Sequence, residues 1–246
     1  MAAETPKLSV VVPCYNEEQR LPRTIEQIER YLDARGESYE LILVDDGSAD
    51  ATRHVMDEAA ARNKAVRIVI LPENRGKGRA LAEGVKESRG EEVLVTDADL
   101  STPIDELEKL EGALAAGAGV AIASRAVKGS RVELSQPFYR VLMGKVFNLI
   151  VQLVLLPGIW DTQCGFKLFR GDIARDVFPE LTTDGFGYDP EVLYLAKRRG
   201  VRIAELPVVW RNSAPTKVMA VRSSLDMFRH VVQVRLGRRS AVAAKP

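Results

Sequence analysis

The chain has few cysteines and few histidines. Cys14 and Cys164 are its two cysteines and lie far apart in the sequence, which argues against a disulfide framework and indicates a reducing compartment. The two histidines, His54 and His230, fall on predicted helices away from the polar clusters of the sequence. A disulfide-stabilised secreted domain and a histidine-based catalytic centre are therefore not expected.

The chain also lacks an excess of charge of either sign. Its 35 Lys and Arg residues balance 34 Asp and Glu, for a formal net charge of +1, so the whole molecule has no bias toward polyanions. Residues 211–246 are an exception, with eight basic residues against the single acid Asp226. No aromatic-interleaved basic groove or nucleic-acid motif accompanies this tail, and nucleic acid is not an expected partner.

Long hydrophobic runs are scarce as well. The first residues, MAAETPK, have no apolar segment of the kind found in a secretory signal, so we expect a protein that faces the cytoplasm. Residues 141–156 form a long apolar stretch, but at about 1.5 Å per residue they reach about 24 Å, short of the roughly 30 Å of a bilayer core. Lys145, Asn148 and Gln152 form one polar stripe on this predicted helix, which indicates an amphipathic helix that lies at a membrane surface or packs in the core.

The chain does contain a regular alternation of apolar, β-branched runs and helical patterns. Strands are predicted at 8–12, 40–44, 66–71, 92–96 and 119–123, and helices at 17–34, 50–62, 78–88 and 104–115. The alternation predicts an α/β fold with a doubly wound, Rossmann-like sheet. In such sheets ligands bind at the carboxyl ends of the strands, which is where the polar clusters PCYNEE, DDGSAD, PENRGKG and DADLS fall.

Three of these clusters have candidate binding residues. Asp97 and Asp99 put two carboxylates on one side of a strand end, which suits Mg²⁺ or Mn²⁺ but is also compatible with a solvated turn in which Asp99 caps the next helix. Asp45 and Asp46 can accept hydrogen bonds from a nucleoside or can form an Asx turn with Gly47. Lys77 is a plausible phosphate contact, although its surroundings lack the P-loop spacing.

Taken together, these clusters resemble a known family. VVPCYNEE, VDDGSAD, ENRGKGRAL, TDADLST and ASR, in this order and spacing, are similar to the inverting family 2 glycosyltransferases. DTQCGFKLFR at 161–170, FGYDPEVL at 186–193 and TKV at 216–218 resemble the dolichyl-phosphate β-glucosyltransferases, to which the dolichyl-phosphate mannose synthases are related. The resemblance covers about residues 7–236 and implies the GT-A fold, a mixed α/β sheet with helices on both faces and C-terminal amphipathic helices.

The family's site residues map onto matching positions of this chain. The resemblance implies that Asp97 and Asp99 bind the metal on the donor diphosphate and that Arg125 and Lys167 act with Asp99 in catalysis. Gln163, Arg125 and Lys167 are the implied acceptor-side residues. The implied nucleotide-sugar contacts are Pro13, Tyr15, Glu17, Val44, Asp46, Lys77, Asp97, Ala98, Arg211 and Lys217. Arg211 and Lys217 match the mannose synthases in spacing, although without the resemblance a basic surface would be the favoured interpretation.

The resemblance implies a metal-dependent hexosyltransferase. It would transfer glucose from UDP-glucose, or mannose from GDP-mannose, to a polyprenyl phosphate with inversion at the anomeric carbon. A phosphate acceptor is largely ionised near neutral pH and needs no general base, whereas a sugar or protein hydroxyl needs one, for which Asp161 or Asp189 is available. A non-catalytic protein that binds nucleotide sugars is a third possibility, which the intact set of candidate residues disfavours.

We expect one structural domain with three functional parts. Residues 1–128 would bind the nucleotide sugar and the metal, residues 129–217 the acceptor, and residues 218–246 would form a basic amphipathic helix and tail. A basic helix of this kind is attracted to anionic lipid headgroups. The expected location is therefore the cytosolic face of a membrane, with peripheral attachment.

Overall fold

The computed structural model describes residues 5–133, 138–211 and 231–236. The strands are β1 (Leu8–Cys14), β2 (Tyr39–Asp45), β3 (Val66–Ile70), β4 (Glu92–Val95), β5 (Val120–Ser124), β6 (Arg131–Glu133), β7 (Lys167–Arg170), β8 (Ile203–Pro207) and β9 (Val209–Arg211). The α-helices are α1 (Leu21–Arg35), α2 (Thr52–Arg62), α3 (Lys77–Lys86), α4 (Leu107–Ala115), α5 (Phe138–Val154), α6 (Gly171–Val177) and α7 (Tyr188–Arg198). Short 3₁₀ turns at Ile104–Glu106 and Phe178–Glu180 precede α4 and follow α6.

Seven of these strands form one mixed sheet in the order β3-β2-β1-β4-β7-β5-β8. β1, β2, β3 and β4 pair in parallel, whereas β7 runs antiparallel between β4 and β5. β6 and β9 pair in a separate two-stranded parallel sheet. Because β7 comes late in the chain and lies between two earlier strands, the carboxyl ends of β1, β2 and β4 share one edge with the loop that precedes β7.

Alternating side chains of the central strands feed two hydrophobic cores. In β1, Val10 and Val12 point into the core formed with α1, α2 and α4, while Val11 points into the core formed with α3, α6 and α7. This period of two is the expected geometry of a strand that is buried on both faces. The predicted α/β fold, with a mixed sheet and helices on both faces, is confirmed.

The observed boundaries differ from the predicted ones by a few residues. α1 begins at Leu21 rather than at Glu17, because residues 17–20 form a turn in which the Glu17 amide donates to the Thr52 hydroxyl (2.7 Å). Pro22 then occupies the first turn of α1, where a missing amide proton costs nothing. The helix predicted at 104–115 is divided into a 3₁₀ turn and α4.

The helix predicted at 141–156 corresponds to α5, which runs from Phe138 to Val154. Its polar residues Asn148 and Gln152 are half-buried, while Val146, Leu149 and Leu153 are exposed. Across the residues that the structure describes, no helix combines the length and apolar character needed to cross a bilayer. Of the basic amphipathic helix and tail predicted at 218–246, residues 231–235 are helical and residue 236 lies in a turn; residues 218–230 and 237–246 lie outside the described residues.

Candidate active site

The loop after β4 carries the two aspartates that the sequence singled out. Thr96 continues the β4 pairing, its amide donating to the Val11 carbonyl (3.1 Å), and the chain then turns sharply through Leu100, whose φ is +44°. The Asp99 carboxylate accepts the Ser101 amide (2.9 Å). Thr24 of α1 donates its hydroxyl to the Ala98 carbonyl (2.6 Å), so α1 fixes the backbone between the two aspartates.

Asp97 lies between a lysine and a glycine. Its carboxylate forms an ion pair with the Lys77 ammonium, and its side chain remains 36% exposed. Gly165, in the loop before β7, approaches this carboxylate so closely that a Cβ on Gly165 would overlap it. The site is therefore built from two distant parts of the chain, and glycine is required at position 165 by space rather than by backbone conformation.

Lys77 is held in place by the segment that leads into α7. It is the first residue of α3, and the flanking Gly76 and Gly78 pack against the backbone of residues 183–185. Its ammonium lies 5.6 Å from the centre of the Tyr188 ring. Burial alone would lower the pKa of Lys77, but the neighbouring carboxylates, Asp97 foremost, raise it above its ordinary value, so Lys77 is a cation at neutral pH.

Asp45 and Asp46 stabilise the loops around the site. Asp45 accepts the Ser48 amide (2.9 Å), which is the Asx turn that the sequence left open. Asp46 accepts the amides of Arg75 (2.8 Å) and Gly76 (2.9 Å), and its burial raises its pKa despite these bonds. Asp46 thus anchors the loop before α3, in addition to any contact that it makes with a nucleoside.

The residues predicted around the nucleoside come together at the ends of β1 and β2. Pro13 pairs in register with Val44 in the sheet, Val44 is fully buried and Ala98 nearly so. Tyr15 is exposed. Glu17 is engaged by Arg20, whose Nε donates to it at 2.6 Å, so its carboxylate already has a cationic partner.

A second cluster surrounds Arg125 at the end of β5. The Arg125 guanidinium donates to both oxygens of the buried Asp161 (2.7 and 2.9 Å) and lies 5.4 Å from the ring of Trp210. Burial opposes ionisation of Asp161, but Arg125 holds its pKa below the ordinary value. Glu205 accepts the amide of Asp161 (2.7 Å), and the Arg125 side chain as a whole remains 29% exposed. Arg125 is therefore a pre-oriented, partly accessible cation of the kind that binds a phosphate.

Lys167 and Gln163 lie on the loop and strand beneath these clusters. The Lys167 ammonium is fully buried, where it donates to the Cys164 carbonyl (2.5 Å) and forms an ion pair with Asp189. The ammonium does not reach the surface, and Lys167 supports the loop that carries Gly165; the acceptor contact that the resemblance implies stays a prediction. Gln163 is half-buried, with its amide donating to Asp161 (3.2 Å).

Arg211 lies near the loop after β4 through its backbone. Its amide donates to the Ser101 carbonyl (2.7 Å), while its side chain is exposed and pairs with Glu133 (3.0 Å). Lys217, the second residue of the predicted pair, lies outside the described residues. The structure thus brings Arg211 to the edge of the site without an inward-directed guanidinium.

The arrangement fits a hard divalent cation that is shared with a substrate. Asp97 and Asp99 supply carboxylate oxygens, and the Lys77 ammonium already occupies a cation position at Asp97. Among the described residues, no group of three or more His, Cys, Asp or Glu forms a complete metal cage. Mg²⁺ and Mn²⁺ suit a site of this kind, because they commonly keep waters and bind substrate phosphates beside one or two protein carboxylates.

Sequence reasoning missed three contributors to the site. Tyr188 is fully buried near both Lys77 and Lys167, Trp210 lies against Arg125, and Thr24 fixes the Ala98 carbonyl. Each comes from a segment distant in sequence. Tyr188 lies within the FGYDPEVL motif, which indicated that the segment matters but gave no role to the aromatic ring.

Comparisons with known proteins define the class of this fold and site. Glucosyl-3-phosphoglycerate synthase from Mycobacterium tuberculosis, solved with Mn²⁺ and UDP-glucose, superposes with a TM-score of 0.69 at 21% identity, over 96% of this chain and 81% of the synthase. The mannosyltransferase PcManGT from Pyrobaculum calidifontis, solved with GDP-mannose and Mn²⁺, superposes with a TM-score of 0.61 at 20% identity, over 99% of this chain and 67% of that one. The fold is that of the GT-A glycosyltransferases.

The sequence comparisons add the family. The model of glycosyl transferase family 2 matches residues 9–178. Human dolichyl-phosphate beta-glucosyltransferase is 37% identical over 245 residues, which is 94% of this chain and 76% of the human protein. The Saccharomyces cerevisiae protein of the same name is 31% identical, over 93% of this chain and 74% of the yeast protein. The chain belongs to glycosyl transferase family 2 and is a glycosyltransferase, as the sequence motifs predicted.

Proposed function

We propose that this enzyme transfers glucose from UDP-glucose to a polyprenyl phosphate with inversion, giving a β-linked lipid phosphate sugar. The observation that carries the proposal is the similarity, over more than nine-tenths of the chain, to proteins named dolichyl-phosphate beta-glucosyltransferase from human, Dictyostelium discoideum and yeast. In this proposal residues 1–128 bind the donor and residues 129–217 bind the acceptor.

The donor side would be formed by the loops after β1, β2 and β4. Asp97 and Asp99 would hold Mg²⁺ or Mn²⁺, which when bound supplies positive charge to the departing nucleoside diphosphate. Lys77, which contacts Asp97, would bind the same diphosphate. Pro13, Tyr15 and Asp46 would border the nucleoside at the ends of β1 and β2, where the sheet leaves an open edge.

The acceptor side would be formed around Arg125. A lipid phosphate is largely ionised near neutral pH and attacks without a general base. Asp161 and Asp189, the candidate bases for a hydroxyl acceptor, are both buried in ion pairs, with Arg125 and Lys167 respectively. Neither carboxylate is placed to accept a proton from a hydroxyl, which favours the phosphate acceptor over a sugar or protein hydroxyl.

The exposed face of α5 supports attachment to a membrane surface. Val146, Leu149 and Leu153 lie at helical spacing on one face and are 51%, 55% and 76% exposed, while the polar Asn148 and Gln152 are half-buried. Trp160, six residues after the end of α5, is also exposed. An apolar stripe of this kind favours insertion at the headgroup level, where the phosphate of a polyprenyl acceptor lies. In this proposal the membrane face is the cytosolic one.

The proposal is tested by supplying radiolabelled UDP-glucose or GDP-mannose with a short polyprenyl phosphate, in Mn²⁺ or in EDTA. We expect a lipid product from UDP-glucose that is lost in EDTA and in the Asp99→Asn variant. Asp57→Asn, which neutralises an exposed aspartate of α2, is the matched control and should retain activity. If only GDP-mannose gives a product, the donor is GDP-mannose and not UDP-glucose. If the folded protein gives no lipid product from either donor, the proposed polyprenyl phosphate acceptor is wrong.

A further inference from the structure

The Lys77–Asp97 ion pair places the Lys77 ammonium against a carboxylate that, in the proposed function, binds the metal. The pair is direct and partly shielded, with side-chain exposures of 18% for Lys77 and 36% for Asp97. An ammonium and a divalent cation cannot share one carboxylate oxygen without strong repulsion at short range. The ammonium contacts Oδ1 of Asp97, so coordination of a metal through this oxygen requires the Lys77 ammonium to move.

The surrounding packing restricts how Lys77 can move. A Cβ added at Gly76 or at Gly78 would overlap the backbone of residues 183–185, and Asp46 accepts the amides of Arg75 and Gly76. The backbone at the start of α3 is thus fixed on two sides. The ammonium can leave Asp97 by rotation of its own side chain, and a partly buried lysine that loses its anion needs another one.

We propose that Lys77 couples the binding of the divalent metal to that of the nucleoside diphosphate, by occupying Asp97 until a diphosphate offers it a replacement anion. This inference rests on the proposed function, in which Asp97 and Asp99 bind the metal. Metal alone has to displace the ammonium without compensation and binds weakly. Metal with the diphosphate binds tightly, because the ammonium exchanges one anion for another.

The charges around the site favour this exchange. Arg20 lies near both aspartates, and its pKa is raised first by its hydrogen bond to Glu17 and further by Asp99 and Asp97. Arg20 is already paired with Glu17 and offsets the charge of the two aspartates only in part, whereas the Lys77 ammonium contacts Asp97 directly and weakens the attraction of the pair for a divalent cation. A bound diphosphate adds negative charge beside the two aspartates and so restores the attraction of the site for a divalent cation. By linkage, the metal must strengthen diphosphate binding by the same factor.

The test measures Mn²⁺ binding directly, by electron paramagnetic resonance of free Mn²⁺, with and without saturating UDP. In the wild type we expect UDP to tighten Mn²⁺ binding at least about thirtyfold. In Lys77→Met we expect Mn²⁺ alone to bind roughly tenfold more tightly than to the wild type, the size expected when one charge-assisted hydrogen bond no longer competes. In Lys77→Met, the factor by which UDP tightens Mn²⁺ binding should be smaller than in the wild type by at least the same amount.

The controls separate this inference from the proposed metal site. Lys86→Met removes the same charge from the exposed end of α3 and should leave the Mn²⁺ affinity unchanged both with and without UDP. If circular dichroism shows that Lys77→Met is unfolded, Lys77→Gln takes its place. If Asp97→Asn abolishes Mn²⁺ binding but Lys77→Met leaves the UDP effect at its wild-type size, the coupling role of Lys77 is wrong. If Asp97→Asn leaves Mn²⁺ affinity unchanged, the metal site itself is wrong.

Discussion

Gly165 shows how a single residue without a side chain can shape this site. It lies in the loop before β7, against the Asp97 carboxylate, in a conformation that other residues can also adopt. The restriction is therefore steric. Asp97 also contacts Lys77. A group added at Gly165 would therefore displace the Asp97 carboxylate and, with it, disturb the Lys77–Asp97 ion pair.

We expect Gly165→Ala to reduce glycosyl transfer by about a hundredfold or more, since a displacement of about 1 Å in a positioned group costs this much. The free energy of unfolding should fall by about 1–3 kcal/mol from overpacking. Gly112→Ala is the matched control, because an added Cβ at Gly112 in α4 meets nothing within 4 Å. The control should keep full activity; wild-type turnover by Gly165→Ala would refute the steric role.

Site residues that directly follow a strand could be predicted from the sequence. Site residues that are brought in by packing of distant segments could not. Asp97, Asp99 and Lys77 were found because local spacing after a predicted strand places them at the sheet edge. Tyr188 was missed because its contact with Lys77 depends on the packing of α7 against α3. The motif at 161–170 singled out Lys167 but gave no indication that its ammonium is buried.

At the scale of single elements, β2 carries a buried charge that ties three parts of the sheet together. Glu40 is 2% exposed and accepts hydrogen bonds from the Ser9 hydroxyl (2.7 Å), the Arg89 amide (2.6 Å) and the Arg67 guanidinium (3.0 Å). Burial alone would raise the pKa of Glu40, but these bonds lower it below its ordinary value. Folding therefore favours the ionised form.

Glu40→Gln should lower the free energy of unfolding by about 2 kcal/mol at neutral pH, as expected for loss of a buried charge with several donors. Because the folded-state pKa is depressed, the stabilisation is complete above the unfolded value of about 4.3 and is lost as the pH falls through the folded value. Urea unfolding at pH 7 and at pH 3 measures the difference. If the free energies of unfolding of variant and wild type differ by the same amount at pH 7 and at pH 3, this account is wrong.

α5 is the element whose packing could not be predicted from the sequence. Which face of a helix turns inward depends on the elements packed against it, and these come from distant parts of the chain. Val151 is buried in the core beside α6 and α7, and the face with Leu149 and Leu153 is left exposed.

Leu149→Ser combined with Leu153→Ser should weaken sedimentation with vesicles of phosphatidylcholine and phosphatidylglycerol by roughly tenfold or more, because two apolar side chains no longer enter the interface. Ile70→Ser removes an apolar side chain of similar exposure at the end of β3 and should leave binding unchanged. Equal vesicle binding by the wild type and the double variant would exclude α5 as the membrane contact.

At the scale of the whole molecule, one mixed sheet joins the donor and acceptor sides. β7 lies between β4 and β5, so the loop with Gly165 reaches Asp97 and the buried Asp161 reaches Arg125. The parallel β1–β4 unit was predictable from its alternating pattern. The position of β7 was not, because antiparallel insertion is a long-range pairing that leaves no local periodicity in the sequence.

The most direct test of the central claim is the structure of the product formed from UDP-glucose and a polyprenyl phosphate, determined by mass spectrometry and by nuclear magnetic resonance of the anomeric centre. The account predicts a lipid that carries one glucose on its phosphate in β-linkage, with release of UDP. An α-linked product, or glucose attached to a hydroxyl instead of the lipid phosphate, would contradict it.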